Sequence, residues 1–247
     1  MVEGFDVLKG KRYGRSICLE QNGPYKAAFY RIQSEGNKAR KIVSEEKDGN
    51  VYWKTISTNE EENEANPRYL LYNILEVRKN MLFLANGEHS SLIANTIDNS
   101  TIPSLNAMSI LMNSYENKRE NIVDGIKLYS YEDDRHGTPR ISGAVMHKEM
   151  AFCSVLKGKD KRPHIMSSNH NLERGKGKII STYSGEIKDP LPSFTSIPIE
   201  VKLEGSLEEL VNNFHESSPI KYRVSTAGIL WTEGEGVIKE AIVNENE

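Results

Sequence analysis

Three short stretches set reactive polar side chains beside glycine or proline at the ends of apolar runs, where sites commonly form. The first is Asn66-Pro67-Arg68-Tyr69-Leu70-Leu71-Tyr72-Asn73. Tyr72 and Asn73 interrupt a hydrophobic strand there, so each needs a hydrogen-bond partner if buried. The second is Ala85-Asn86-Gly87-Glu88-His89-Ser90-Ser91. Asn-Gly signals a turn, and His89 is the side-chain type able to exchange a proton near neutral pH. The third and densest is Tyr131-Glu132-Asp133-Asp134-Arg135-His136-Gly137-Thr138-Pro139-Arg140, just before another apolar run. A carboxylate there has its proton affinity set by neighbouring guanidinium groups and by burial, which suits it to acid–base work. Each stretch also has a plain reading: a Tyr hydroxyl tied to backbone, a hydrogen-bonded histidine, and a solvated loop whose charges pair with one another.

Other familiar chemistries find no support. Gly175-Lys176-Gly177-Lys178 lacks the spacing and hydroxyl of a phosphate-cradling Walker loop, and no dinucleotide-binding glycine fingerprint occurs. The six histidines show no His-Glu-x-x-His or other close ligand spacing, so no metal is implied. There is no Gly-x-Ser-x-Gly nucleophile elbow.

The elements that must position these groups are mostly short strands. Ser16 to Leu19 and Tyr25 to Ile32 flank the turn Gln21-Asn22-Gly23-Pro24, a hairpin signal. Residues 35 to 65 are polar and poor in periodicity apart from a strand over Val51 to Ile56, and Glu60 to Glu64 reads as a solvated loop. Tyr69 to Val77 with Met81 to Ala85, and Arg140 to Met146 with Ala151 to Leu156, form two further hairpins. Ser104 to Tyr115 carries apolar residues at helical spacing. Strands follow over Ile179 to Tyr183 and Ile197 to Leu203. The capping-box pattern Ser206-Leu207-Glu208-Glu209 then opens a helix to about Phe214, and Ile229 to Thr232 and Val237 to Val243 close the sheet. Hairpin-joined strands with two or three helices make an α+β fold of antiparallel sheets covered by helices, one domain over residues 1–247.

Composition agrees. The chain has 247 residues, 37% hydrophobic and 27% charged, enough to bury a substantial core. Its net charge of -3 lacks the basic excess of a dedicated nucleic-acid binder. Cys18 and Cys153, the two cysteines, sit in apolar runs and read as buried reduced thiols rather than a disulfide framework. No apolar run is long enough to span a bilayer and no signal peptide is evident, so the cytoplasm is the expected compartment.

Taken in order, Asn66-Pro67 … Leu71-Tyr72-Asn73, Asn86-Gly87-Glu88-His89, Tyr131-Glu132-Asp133 … Thr138-Pro139-Arg140-Ile141 and Ile180-Ser181-Thr182-Tyr183 resemble the ordered motifs of the archaeal-type IMP cyclohydrolases. Tyr13-Gly14-Arg15 and Phe29-Tyr30-Arg31-Ile32 resemble that family's start. The resemblance implies a four-layer α-β-β-α sandwich like that of the N-terminal nucleophile hydrolases. It also implies closure of 5-formamidoimidazole-4-carboxamide ribonucleotide to inosine monophosphate, the last step of purine synthesis. That reaction is an intramolecular dehydration needing no metal or redox cofactor. The expected partner is a small purine nucleotide, with no nucleic acid and no membrane; a homo-oligomer is left open.

Carried over by position, Arg31, Tyr72 and Glu132 match the catalytic group: Glu132 for proton transfer, Tyr72 for a hydrogen bond to the reacting formyl or carboxamide, and Arg31 for electrostatic stabilisation. Asn73, Asn86, Gly87, His89, Thr138, Arg140 and Tyr183 match positions implied to line the nucleotide pocket, with Arg40 a looser candidate for the phosphate. The chain departs from the family pattern in an extra Arg68 and in Glu35-Gly36-Asn37 where a more basic stretch is expected. Polar additions also occur around Asn117 to Gly125 and His170 to Lys178. Two other classes remain in view: a nucleotide-binding protein without turnover, and an amide-bond hydrolase, for which Cys18 would have to become N-terminal by cleavage.

Overall fold

Alternation of apolar residues along paired strands builds two seven-stranded sheets that face each other. The computed structural model describes residues 2–36, 38–58, 72–78, 80–90, 92–93, 96, 122–123, 126–127, 130–134 and 136–245. In chain order the strands are β1 (Val2–Glu3), β2 (Arg15–Asn22), β3 (Tyr25–Gln33), β4 (Arg40–Lys47), β5 (Asn50–Ser57), β6 (Asn73–Arg78) and β7 (Met81–Ala85). There follow β8 (Ile122–Val123), β9 (Ile126–Lys127), β10 (Arg140–Met146), β11 (Glu149–Lys157), β12 (Pro163–Asn171), β13 (Lys176–Ser181), β14 (Ile199–Lys202), β15 (Arg223–Thr232) and β16 (Gly236–Asn244). The first sheet runs β1-β14-β13-β2-β3-β15-β16 and the second β12-β11-β10-β7-β6-β5-β4. All pairs are antiparallel except β1 beside β14.

The period-2 geometry of a strand sends successive side chains to opposite faces. On β2 and β3, Ile17, Leu19, Ala28, Tyr30 and Ile32 point into the space between the sheets. There they meet Trp53, Leu82, Leu84, Ile141, Val145 and Phe152 of the second sheet. Cys18, Ala27 and Phe29 point the other way, onto helix α1 (Leu207–Glu216). That helix presents Leu207, Leu210, Val211 and Phe214 at three- and four-residue spacing, each contributing about 1.5–3 kcal/mol by leaving water. Its N-terminus is closed by the expected capping box: the Glu209 amide donates to Ser206 Oγ at 3.3 Å, and the Ser206 amide to Glu209 Oε2 at 2.8 Å. Two antiparallel sheets with a helix against the first give the sandwich expected for the strand-rich chain. On the outer face of the second sheet Phe83, Ala85, Ala144, Cys153 and Val155 gather with Ile93. The helix expected over Ser104 to Tyr115, the loop Glu60 to Glu64 and the segment Asn66 to Leu71 lie outside the described residues.

Two strands depart from the polar, irregular segments expected of them. β4 forms a tight hairpin with β5 through Asp48-Gly49, both at positive φ (54° and 75°), the pairing favoured by the right-handed twist of hairpin strands. β12 pairs with β11 over all nine residues, and the polar stretch His170 to Lys178 is its end and the start of β13. Both are sheet edges, where few side chains face a core and the alternating apolar signal fades.

Candidate functional site

One rim of the sandwich collects the strand ends that carry polar residues. Arg15 opens β2 opposite Ile32 near the end of β3; Tyr72 precedes β6, Asn86 follows β7, Glu132 to Thr138 precede β10, and Tyr183 follows β13. Between them lies a cleft of about 450 Å³ whose walls include Arg12, Arg15, Arg40, Glu132, Thr138 and Tyr183.

At its centre the Glu132 carboxylate stands 3.6 Å from Arg15 Nη1, both side chains largely buried. Burial alone would lower the proton affinity of the Arg15 guanidinium. The charge of Glu132, with the oxygens of Tyr72, Tyr30 and Tyr183 around it, outweighs burial and holds that cation above its ordinary value. Tyr72 is buried, its hydroxyl 3.4 Å from that of Tyr30. Burial, reinforced by Tyr72, drives the Tyr30 phenol well up, so it stays protonated and able to donate. Arg40 is a second buried cation: burial first, and the like charge of Arg15 next, pull its guanidinium down. Its Nε and Nη1 have no hydrogen-bond partner among the described residues, nor does Arg140 Nε. Buried donors left in this state call for an acceptor with negative charge, such as the oxygens of a phosphate.

The backbone around Arg15 is held by a side-chain clamp. Gln33 Oε1 accepts from the amides of Tyr13 (2.6 Å) and Gly14 (3.1 Å), while its Nε2 donates to Lys11 O and to Ser218 Oγ. Gly14 sits at φ 72°, and a Cβ there would fall 2.3 Å from Thr182 Oγ1 and 2.8 Å from the Tyr183 ring. Only glycine allows that approach. Thr182 Oγ1 in turn accepts from the Arg15 amide at 3.2 Å and donates to Tyr13 O at 3.0 Å.

The loop before β10 is organised by Asp134. Its Oδ1 accepts from the amides of His136 (3.1 Å) and Thr138 (2.9 Å), and its Oδ2 from the Thr138 hydroxyl. Thr138 Oγ1 also meets Tyr183 OH at 2.8 Å. Asp134 is thereby committed to loop structure, while the Glu132 amide bonds Thr138 O at 2.8 Å and aims the carboxylate at Arg15. Asn86 ties β7 to β10, donating to Pro139 O at 2.9 Å and accepting from the Ile141 amide at 2.6 Å. His89 Nε2 lies 3.1 Å from Ile141 O and must carry the proton to donate there. Burial first, then the Arg140 charge, push this imidazole well below its ordinary pKa against the opposing pull of Ile141, so it is neutral. Gly87 leaves room for Arg140, whose Nη1 would lie 2.6 Å from a Cβ at that position.

Tyr72, Glu132, Arg40, Gly87, Thr138, Arg140 and Tyr183 are therefore gathered at or beside one cleft, with Asn86 and His89 as the buried bracing behind it. Two expected residues are not. Asn73 is exposed at the start of β6, because Tyr72 before it takes the inward position. Arg31, expected among the reacting groups, lies on β3 between Tyr30 and Ile32, which face the inter-sheet core, so Arg31 faces α1. There Nη1 donates to Phe214 O at 2.9 Å and to Ser217 Oγ, with the guanidinium 4.4 Å from the Phe214 ring centre. A cation at the carbonyl end of a helix is favourable. Burial lowers its pKa to about 9. Arg15 is the arginine that faces Glu132, and its position at a strand start beside Gly14 was the available signal. Cys18 lies on the α1 side of its sheet, and burial raises its thiol pKa well above the usual range, which gives no support to a nucleophile.

Among the described residues no three His, Cys, Asp or Glu side chains stand close enough to hold a metal ion, and no helix is long and apolar enough to cross a membrane. A family model described as IMP cyclohydrolase-like protein matches residues 13–235, a span containing every cleft residue named above except Arg12. No curated protein matches the chain.

Proposed function

The chain belongs to the IMP cyclohydrolase-like protein family, and from that membership we propose that it closes 5-formamidoimidazole-4-carboxamide ribonucleotide to inosine monophosphate with loss of water. The observation that carries the reading is the buried Arg15–Glu132 pair in one cleft with Arg40, whose guanidinium has unmet donors. A phosphorylated substrate with an amide to deprotonate and an oxygen to stabilise suits that combination.

The carboxamide nitrogen attacks the formyl carbon of the same molecule, so the protein's first task is to hold the reactive conformer. Glu132 accepts the amide proton as the C–N bond forms. The formyl oxygen, gaining negative charge, is met by the Arg15 guanidinium and by a phenol hydroxyl of Tyr72 or Tyr30. The phenol gives its proton to that oxygen, forming a carbinol. The hydroxyl then departs as water with the proton Glu132 had taken, while the formamido nitrogen gives its proton back to the phenolate and forms the C=N bond of the product. Arg40 and Arg140 take the 5′-phosphate through charge-assisted hydrogen bonds. The chemistry itself asks for no metal or redox group. With a second helical layer over Phe83, Ala85 and Cys153, the sandwich would be the four-layer, N-terminal nucleophile hydrolase-like arrangement.

The test is cyclisation of the formamido carboxamide ribonucleotide by purified, metal-free protein, followed by ultraviolet absorbance. Turnover is expected, with a drop of roughly 10²–10⁴-fold in Glu132→Gln. A folded protein that does not convert the compound would sink this chemistry and keep the family. Binding of inosine monophosphate without turnover would then favour a nucleotide-binding protein in which Glu132 serves as the fixed counter-ion of Arg15.

A further inference from the structure

The two sheets have four edges, and three of them carry the devices that prevent strands from pairing with other chains. β1 has two residues. β4 carries Arg40, Lys41, Glu45, Glu46 and Lys47. β16 carries Lys239 and Glu240, and Glu240 is held across the sandwich by Ser44 Oγ at 3.0 Å and by Trp53. The fourth edge, β12, has none of these. Its nine residues, Pro-His-Ile-Met-Ser-Ser-Asn-His-Asn, include no Lys, Arg, Asp or Glu in a chain that is 27% charged. Its proline stands at the first position, where it interrupts nothing.

This edge also exposes apolar side chains. Ile165 and Met166 are 39% and 38% exposed, and nearby Ile197 is 85% exposed. A groove of about 140 Å³ opens beside it, lined by Phe152, Met166, Ser168, Phe194 and Ile197.

We propose that β12 is the interface of a homodimer, in which two copies pair antiparallel about a two-fold axis at Ser167 and join their second sheets into one continuous sheet. The reason to name a second copy is self-complementarity. A two-fold at Ser167 sets Met166 opposite Ser168, Ile165 opposite Asn169 and His164 opposite His170, with no Lys, Arg, Asp or Glu anywhere along the strand. Each partner's Met166 then lies against Ser168 at the mouth of the groove and covers it. Beyond the strand, the turn closed by the Gly158 amide on Arg162 O meets the turn closed by the Lys176 amide on Glu173 O. Counting outward from the axis, Lys161 corresponds to Glu173 and Asp160 to Arg174, opposite charges in both cases and repeated twice by symmetry. The dimer requires nothing of the proposed chemistry, since the cleft lies among other strand ends.

Sedimentation equilibrium of the full chain over a dilution series tests this, with twice the chain mass expected. Ser167 is exposed, so Ser167→Lys and Ser167→Glu leave the fold intact, as an unchanged thermal midpoint would verify. Each variant alone places like charges on the axis and is expected to halve the mass. An equal mixture of the two pairs Lys with Glu and is expected to restore the dimer. A wild-type chain that stays at single mass would overturn the proposal and leave the edge for a strand of another protein. So would a Ser167→Lys variant that dimerises as the wild type does, or a mixture that fails to recover.

Discussion

Removing Arg15 and Glu132 singly and together measures how strongly the pair at the centre of the cleft is coupled. At 3.6 Å, and with side-chain exposures of 14% and 9%, two unit charges attract by about 4–5 kcal/mol at an effective dielectric of about 20. Arg15→Met leaves a buried carboxylate without its cation, and Glu132→Gln leaves a buried guanidinium without its anion. Each is expected to cost about 3–5 kcal/mol in urea unfolding. The double variant leaves neither charge stranded, so its loss falls short of the sum of the single losses by about 3–4 kcal/mol. That difference is a large share of the 5–15 kcal/mol that holds typical domains together. The same proteins are assayed for cyclisation, where Arg15→Met is expected to lose roughly 10²–10³-fold for want of the charge that meets the formyl oxygen. A coupling below about 0.5 kcal/mol, the level at which independent sites add, would refute the pairing. Full turnover in Arg15→Met would refute its role.

Arg31→Met supplies the contrast: the loss of its bonds to Phe214 and Ser217 at the end of α1 should lower the thermal midpoint, while turnover per folded molecule stays within about threefold. A loss of orders of magnitude would return Arg31 to the reacting group. Gly14→Ala meets a positive φ of 72° and a 2.3 Å contact with a hydroxyl held from both sides, so a destabilisation of about 2–5 kcal/mol is expected in urea. An unchanged midpoint would show that the Arg12–Arg15 segment is not clamped as described. Glu20 gives a pH signature. Burial raises its carboxyl from 4.5 to about 8 against the pull of Asn22, so between those values the folded state holds the proton and the unfolded state does not. Stability is therefore expected to fall from about pH 5 to pH 8, by up to about 5 kcal/mol, and Glu20→Gln should flatten that slope. Parallel pH profiles for the two proteins would show that Glu20 is not the group responsible.

What could be read along the chain was whatever local chemistry writes locally. The Gly23-Pro24 turn, the Arg140 and Ala151 strands, the Ser206–Glu209 cap and the helix after it all declare themselves within a few residues, because turn geometry, two-residue alternation and capping bonds are short-range. The ordered motifs likewise named Tyr72, Glu132, Thr138 and Arg140 as one group. β4 and β12 escaped because an edge strand buries too little to show alternation, although Asp48-Gly49 marked the first of them. Along the chain only the glycine before Arg15 marked it apart from Arg31. Both arginines lie on adjacent paired strands, one register step apart, and a one-residue step sends a side chain to the opposite face of the sheet. Only the packing of α1 against one face, and of the second sheet against the other, decides which arginine caps a helix and which faces the carboxylate.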